Sequence, residues 1–225
     1  MNFGTCYAQV TTRTNDASAN AVNVAKANVN FAYQDICTRN PFSWLISTGT
    51  ITTTAAQAWS VISTAGITDF WKTLSIRQED GKNLITAISR KEYERYVSDD
   101  STSTDEPECY CDEYNDRIYW YHTPDDAYVL PATYWKAVTD ITADGDGFSI
   151  PAKYQEAITL GAWSRQLQYF NRYAEANAIK VEYEAFLQKM IDEDNDRPDL
   201  IELQQKHIIG GQDFGPKLPS QYRRF

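Results

Sequence analysis

The chain has 225 residues, a length that suits one elaborated domain or two small ones, and area scaling buries about 70% of its unfolded surface without a covalent staple. Its formal net charge of −10 is poorly suited to neutralising phosphates, so sequence-specific nucleic-acid binding is not expected. Four cysteines are too few for a disulfide framework, no apolar run reaches 18 residues, and the first residues lack a basic-then-apolar leader, so a reducing compartment without membrane insertion or secretion is expected.

In chain order, residues 1–15 are polar and rich in Thr and Asn, and read as a loose or partner-ordered arm. A helix is expected over 16–39, with Asn15 or Asp16 as its N-cap. Val22, Ala25, Val29, Ala32 and Ile36 recur at three- and four-residue spacing along one face, and Pro41 ends the run. Phe42, Trp44, Leu45 and Ile46 form a bulky cluster that should plug a core. A β region is expected over 50–138. It opens with a Thr-rich stretch, 50–63, and continues with a hairpin of Trp71–Arg77 and Leu84–Ile88 turning at Asp80-Gly81. Ser89 and Glu92 make a capping box for a short helix to Val97. Residues 98–116 read as an acidic loop. Within it Asp99, Asp100, Asp105, Glu106, Glu108, Asp112, Glu113 and Asp116 supply eight of the ten net negative charges. A second hairpin should pair Arg117–His122 with Tyr128–Val138 across a Pro124 turn, and Pro131 marks the returning strand as an edge or a bulge.

After the loop at 140–147, residues 152–191 contain no proline and one glycine, and read as one long helix of about 60 Å, with a break near Asn177 as a variant. Ala157, Leu160, Leu167, Ala174, Ala178 and Val181 share a near-heptad stripe; Trp163 and Phe170 lie on an adjacent one. A short helix over 200–209 is expected next. From Gly210 the chain reads as an extended tail, with Pro216 and Pro219 set among Phe214, Leu218, Tyr222 and Phe225. The body therefore spans 16–209, between the arm 1–15 and the tail 210–225. The fold class is α+β: a helical bundle with a long C-terminal helix, an inserted antiparallel β region of hairpins, and an extended C-terminal tail.

No constellation of catalytic residues stands out. His122 and His207 are the only histidines, and neither lies in a nucleophile–base or paired-ligand spacing. Asp144-Gly145-Asp146-Gly147 superficially resembles a calcium loop but lacks its sixth-position glycine and twelfth-position glutamate, so a turn is expected. Cys109 and Cys111 are too close for a usual zinc knuckle, and with the acids around them they read as a solvated loop. No enzyme, cofactor or metal is expected. Fifteen tyrosines and six tryptophans are many for this length. Alternation along the second hairpin puts Tyr119 and Tyr121 on one face and Trp120 on the other, so one face meets a core and the other a partner. Glycan stacking on that hairpin, in a carbohydrate-binding or glycosidase module, is the alternative. Tyr119, Tyr121, Trp163, Phe170 and Tyr173 are the candidate inter-subunit residues. In the tail, Phe214, Pro216, Leu218, Pro219, Tyr222, Arg223, Arg224 and Phe225 form the candidate partner-binding segment, an arm that orders on docking.

The order of elements resembles the head-to-tail adaptor (connector) proteins of tailed bacteriophages, especially the short-tailed type. The residues that carry the likeness are Asn40 to Leu45 ending a helix, Thr50 to Thr54, Ile118 to Tyr121 with Pro124 to Asp126, Tyr134 to Lys136, and Ile150-Pro151 leading a helix to about Met190. It covers about residues 16–191. A Leu-Pro step usual in that family is missing between Ala65 and Trp71. The resemblance implies a structural virion protein, made in the bacterial host cytoplasm. It also implies a homo-oligomeric ring, typically of twelve copies, bound below the portal protein. That ring would contact a tail or nozzle protein and line a channel for packaged DNA, with no membrane involved. Another tail-completion protein is the neighbouring alternative.

Overall fold

The computed structural model describes residues 1–79, 83–99, 103–113 and 116–196. The expected turn at Asp80-Gly81, the helix 200–209, His207 and the tail 210–225 lie outside them. The chain is α+β and divides into two compact units. One is helical, Met1–Ile46 with the described part of Ala137–Pro198; the other is the β unit, Ser47–Lys136.

In the helical unit, the expected N-terminal arm is instead a helix, α1 (Phe3–Thr14). Its Thr-rich composition misleads because the hydroxyls are absorbed locally: Thr11 and Thr12 donate to the Ala8 carbonyl and Thr14 to that of Val10. Phe3, Cys6, Val10 and Thr14 then form a buried stripe. Asn2 caps the start by accepting the Thr5 N–H at 2.8 Å. The loop before α4 satisfies the next donors: the N–H groups of Phe3 and Gly4 bond the Asp146 and Asp144 carbonyls, each at 2.9 Å. Asn15, read as an N-cap, is the left-handed C-cap of α1 at φ 56°. The cap of α2 (Ala19–Arg39) is Ser18, whose Oγ accepts the Ala21 N–H at 3.3 Å. Ala25, Val29, Ala32 and Ile36 are buried on α2, as the spacing requires.

The single helix expected over 152–191 is two. A 3₁₀ turn at Ala152–Tyr154 leads into α4 (Glu156–Tyr169), and α5 (Tyr173–Asn195) follows a sharp turn in which Asn171 takes φ 59°. The break resets the helical phase. Ala157, Leu160, Ser164 and Leu167 are buried on α4, but Ala174, Ala178 and Val181 face solvent on α5. The buried stripe of α5 is Ala176, Tyr183, Leu187, Met190 and Asp194. Gly161 lets α2, α4 and α5 meet: a Cβ there would lie 3.0 Å from the Ala32 Cβ and 3.1 Å from the Tyr183 ring. Gln166, fully buried, accepts from Asn28 at 2.8 Å and donates to the Ala21 carbonyl at 3.1 Å, tying α4 to α2.

The β unit holds one seven-stranded sheet in the order β1-β7-β3-β4-β5-β6-β2. Its strands are β1 (Ile46–Thr52), β2 (Trp59–Val61), β3 (Phe70–Arg77), β4 (Leu84–Ala87), β5 (Cys109–Glu113), β6 (Arg117–Tyr121) and β7 (Val129–Lys136). The β3–β4 pair matches the expected first hairpin. The second hairpin is different. β6 pairs with β5, which arises inside the segment read as an acidic loop, while β7 pairs with β3. Charge alone masked β5: Tyr110 and Cys111 are buried on its two faces, and Asp112 shares the Tyr110 face and is half-buried. Pro131 therefore lies in an interior strand, near its beginning, and the register shifts fall on the β3 side of that pair. The β4–β5 pair is parallel and is joined through α3 (Arg90–Asp99), which Ser89 and Glu92 cap as expected. The sheet curls so that Ile51, Ile76, Ile118, Trp120, Leu130 and Tyr134, from four strands, share one core. Its two outer strands touch where Ser60 Oγ donates to the Thr52 carbonyl at 3.4 Å.

Candidate interaction surface

In the helical unit the outer face of α5 is the open one. Ala174, Ala178, Val181 and Ala185 follow at four-, three- and four-residue spacing, all exposed, and Val181 is 71% exposed. Tyr173, at the start of the same helix, is 59% exposed, and its hydroxyl donates to Asn171 Oδ1 at 2.9 Å. Neighbouring exposed rings are Tyr169, which meets Phe170 edge-on at 5.2 Å, and Phe31, over which the Arg165 guanidinium lies at 3.2 Å. The helix is held from behind. The Tyr183 hydroxyl donates to Asp35 at 2.7 Å, and Arg39 pairs with both Asp35 and Glu184. At its end, Asp194 is buried and accepts from the Ser43 N–H at 3.0 Å and hydroxyl at 2.6 Å, which ties α5 to the chain leaving α2. Asp194 was hidden in a run of acids, so no pattern singled it out.

The five candidate inter-subunit residues separate. Tyr173 is open. Phe170 is half-buried at the end of α4, and Trp163 is half-buried under the Arg13 guanidinium, 5.2 Å from its ring. In the β unit, Tyr119 and Tyr121 do lie opposite buried Trp120, but α3 covers them. Tyr93 meets Tyr119 at 5.7 Å and Tyr96 stacks on Tyr121 at 5.2 Å. The aromatic hairpin therefore presents no bare platform for a sugar ring. Val181 and Ala185 join the surface although spacing put Val181 on the buried stripe. The tail candidates from Phe214 to Phe225 lie outside the described residues.

Polar groups elsewhere are structural. Asp144 accepts from the Tyr7 hydroxyl at 2.8 Å and pairs with Lys26 at 3.1 Å, so the supposed calcium loop anchors α1 and α2. Its neighbours hold its carboxyl below the ordinary range. None of the four cysteines is in a disulfide; burial pushes Cys6 up to about 11 and Cys37 up to about 12, which keeps both protonated. Cys109 and Cys111 sit two apart on β5 and so share one face, Cys111 buried and Cys109 half-buried. Among the described residues no group of three or more His, Cys, Asp or Glu side chains is arranged to hold a metal ion, and no helix is long and apolar enough to cross a membrane.

Residues 1–202 of the 225 match the family described as SU10 adaptor protein. The chain belongs to that family, a family of phage head-to-tail adaptors. No curated protein matches the sequence. The match takes in both units and the whole of α1, which the sequence likeness over 16–191 had left aside. As an SU10 adaptor, the chain is a structural phage protein of the head–tail region, and its exposed helical face is read in that light below.

Proposed function

We propose that this SU10 adaptor forms a homo-oligomeric ring beneath the portal protein, joins the DNA-filled head to a tail or nozzle protein, and surrounds the passage for DNA. The observation that carries the reading is the outer face of α5, where an apolar stripe with Tyr173 and Val181 is left open on a helix otherwise pinned by Asp35 and Asp194. Rings repeat one head-to-tail contact around an axis, and that contact needs two different surfaces of each copy. A rigid helix face with small side chains is suited to be one of them. Twelve copies is the number that the family resemblance implies. The net charge of −10 favours passage of DNA without adhesion. The segment 210–225 is the proposed arm toward the portal or the next tail component, and many such arms act together by avidity.

Electron microscopy of the purified chain, alone and with portal complexes, tests this. The intact chain should give rings that add to the portal. Val181→Glu should leave the fold unchanged by circular dichroism but abolish rings. Removal of 212–225 should spare the folded body and weaken portal binding. Rings that persist in Val181→Glu would exclude the α5 face, and a solitary chain in assembled particles would exclude the ring.

A further inference from the structure

Between β3 and β5 the sheet has a gap. β4 is only four residues long; it leaves the sheet at Ile88, whose N–H bonds the Tyr110 carbonyl at 2.8 Å, and Ser89 then starts α3. Beyond that point, among the described residues, no strand fills the space between Trp71–Thr73 and Tyr110–Asp112. A side chain stands in for it: Asp112 Oδ2 accepts the Thr73 backbone N–H at 3.0 Å. A cavity of about 230 Å³ remains, lined by Trp71, Lys72, Thr73, Ala87, Ile88, Tyr110 and Asp112. That exceeds the roughly 150 Å³ that admits a benzene ring in an engineered core. Ala87 is exposed, so the cavity reaches the surface.

Two features of the lining have no structural explanation. Thr73 is 2% exposed, yet its hydroxyl has no hydrogen-bond partner; it lies near the carboxylate without reaching bonding geometry. Among the described residues no cation lies within 4.0 Å of Asp112. Its carboxyl is held above the ordinary range, first by burial, with neighbouring Thr73 and the charge of Lys72 opposing. A buried hydroxyl without a partner, beside a half-buried carboxylate with no cation against it, costs stability, and such costs concentrate where a ligand supplies the missing partner.

We infer that the gap between β3 and β5 is a guanidinium site, filled in an assembly by an arginine side chain of a neighbouring chain. The planar fork suits the acceptors available: the free lone pairs of Asp112 and the oxygen of Thr73. The aromatic side chains of Trp71 and Tyr110 in the wall favour a weakly hydrated planar cation over a compact ammonium. Lys72 also lines the cavity and opposes a second cation, so it limits the affinity rather than creating it. The site stands on this geometry alone; only the identity of its neighbour rests on the adaptor reading.

Titration calorimetry on the full chain with N-acetylarginine amide tests the site, with the neutral isostere N-acetylcitrulline amide as control. Saturable binding of the arginine probe is expected, with the citrulline probe at least about tenfold weaker. Asp112→Asn, which keeps an acceptor for the Thr73 N–H, should lose about tenfold or more. Thr73→Val should weaken binding, and Lys72→Met should strengthen it. The inference is overturned by absence of saturable binding, by equal binding of both probes, or by an Asp112→Asn chain that binds as the original does. If Asp112→Asn misfolds, Thr73→Val and Lys72→Met still decide: no change in either excludes the site. Probe binding is read by calorimetry and ring formation by electron microscopy, so failure here is distinct from failure of the ring.

Discussion

The indole N–H of Trp120 donates to Ser60 Oγ at 2.9 Å, and that same hydroxyl donates onward to the Thr52 carbonyl at 3.4 Å. Trp120 on β6 is 1% exposed, so its donor has no access to water. Ser60→Ala strands the buried indole N–H and should cost about 1–3 kcal/mol. At this chain length the melting temperature should fall by about 2–4 °C for each kcal/mol. Differential scanning calorimetry reads it, and the double variant Ser60→Ala/Trp120→Phe should lose less than the sum of the single losses.

Gly161 fixes the approach of three helices in the helical unit. Ala at this site would gain up to about 1 kcal/mol of helix propensity. Its methyl group would press on Ala32 and Tyr183 at 3.0 and 3.1 Å, and overpacking costs about 1–3 kcal/mol. Gly161→Ala should therefore be a net loss of about 1 kcal/mol, seen as a lower urea midpoint with an unchanged slope. Gly161→Val should be worse.

Asp112 sets a pH dependence of opposite sign to that of a paired carboxylate. Burial first, opposed by Thr73 and Lys72, raises its folded value above 3.8. The folded chain thus holds this proton more tightly than the unfolded chain. The stability penalty is fully present above the raised value and disappears as pH falls through it toward 3.8. Asp112→Asn removes the penalty, so at neutral pH it should be at least as stable as the original chain. The difference between the two should shrink on acidification. Urea unfolding across that window checks the sign; a variant that loses stability at neutral pH would refute it.

The sequence carried local structure better than partnership between distant segments. The helix ending before Pro41, the Ser89–Glu92 cap and the β3–β4 pair were legible because each depends on residues within one or two turns of chain. The pairing of β6 with β5 and of β7 with β3 was not, since Tyr128–Val138 is as good a neighbour by pattern as Cys109–Glu113. The α4–α5 break, expected only as a variant near Asn177, falls six residues earlier because Asn171, rather than Gly or Pro, takes the left-handed turn. That single residue moved Val181 from the expected buried stripe to the open face, so the candidate surface was only half visible. Tyr173 was among the candidates and is exposed; Asp112 with Thr73, 39 positions apart, left no signature at all.

The way α1 is anchored bears on the order in which the chain can fold. Its twelve residues include four threonines, and so short a β-branched helix does not persist alone in water. Its first free donors are met by the carbonyls of Asp144 and Asp146, and its thiol packs beside Thr159. During synthesis those partners emerge only after the whole span 47–136 has left the ribosome. The β unit is thus free to condense while the opening helix still waits, and the two halves of the helical unit close around each other last.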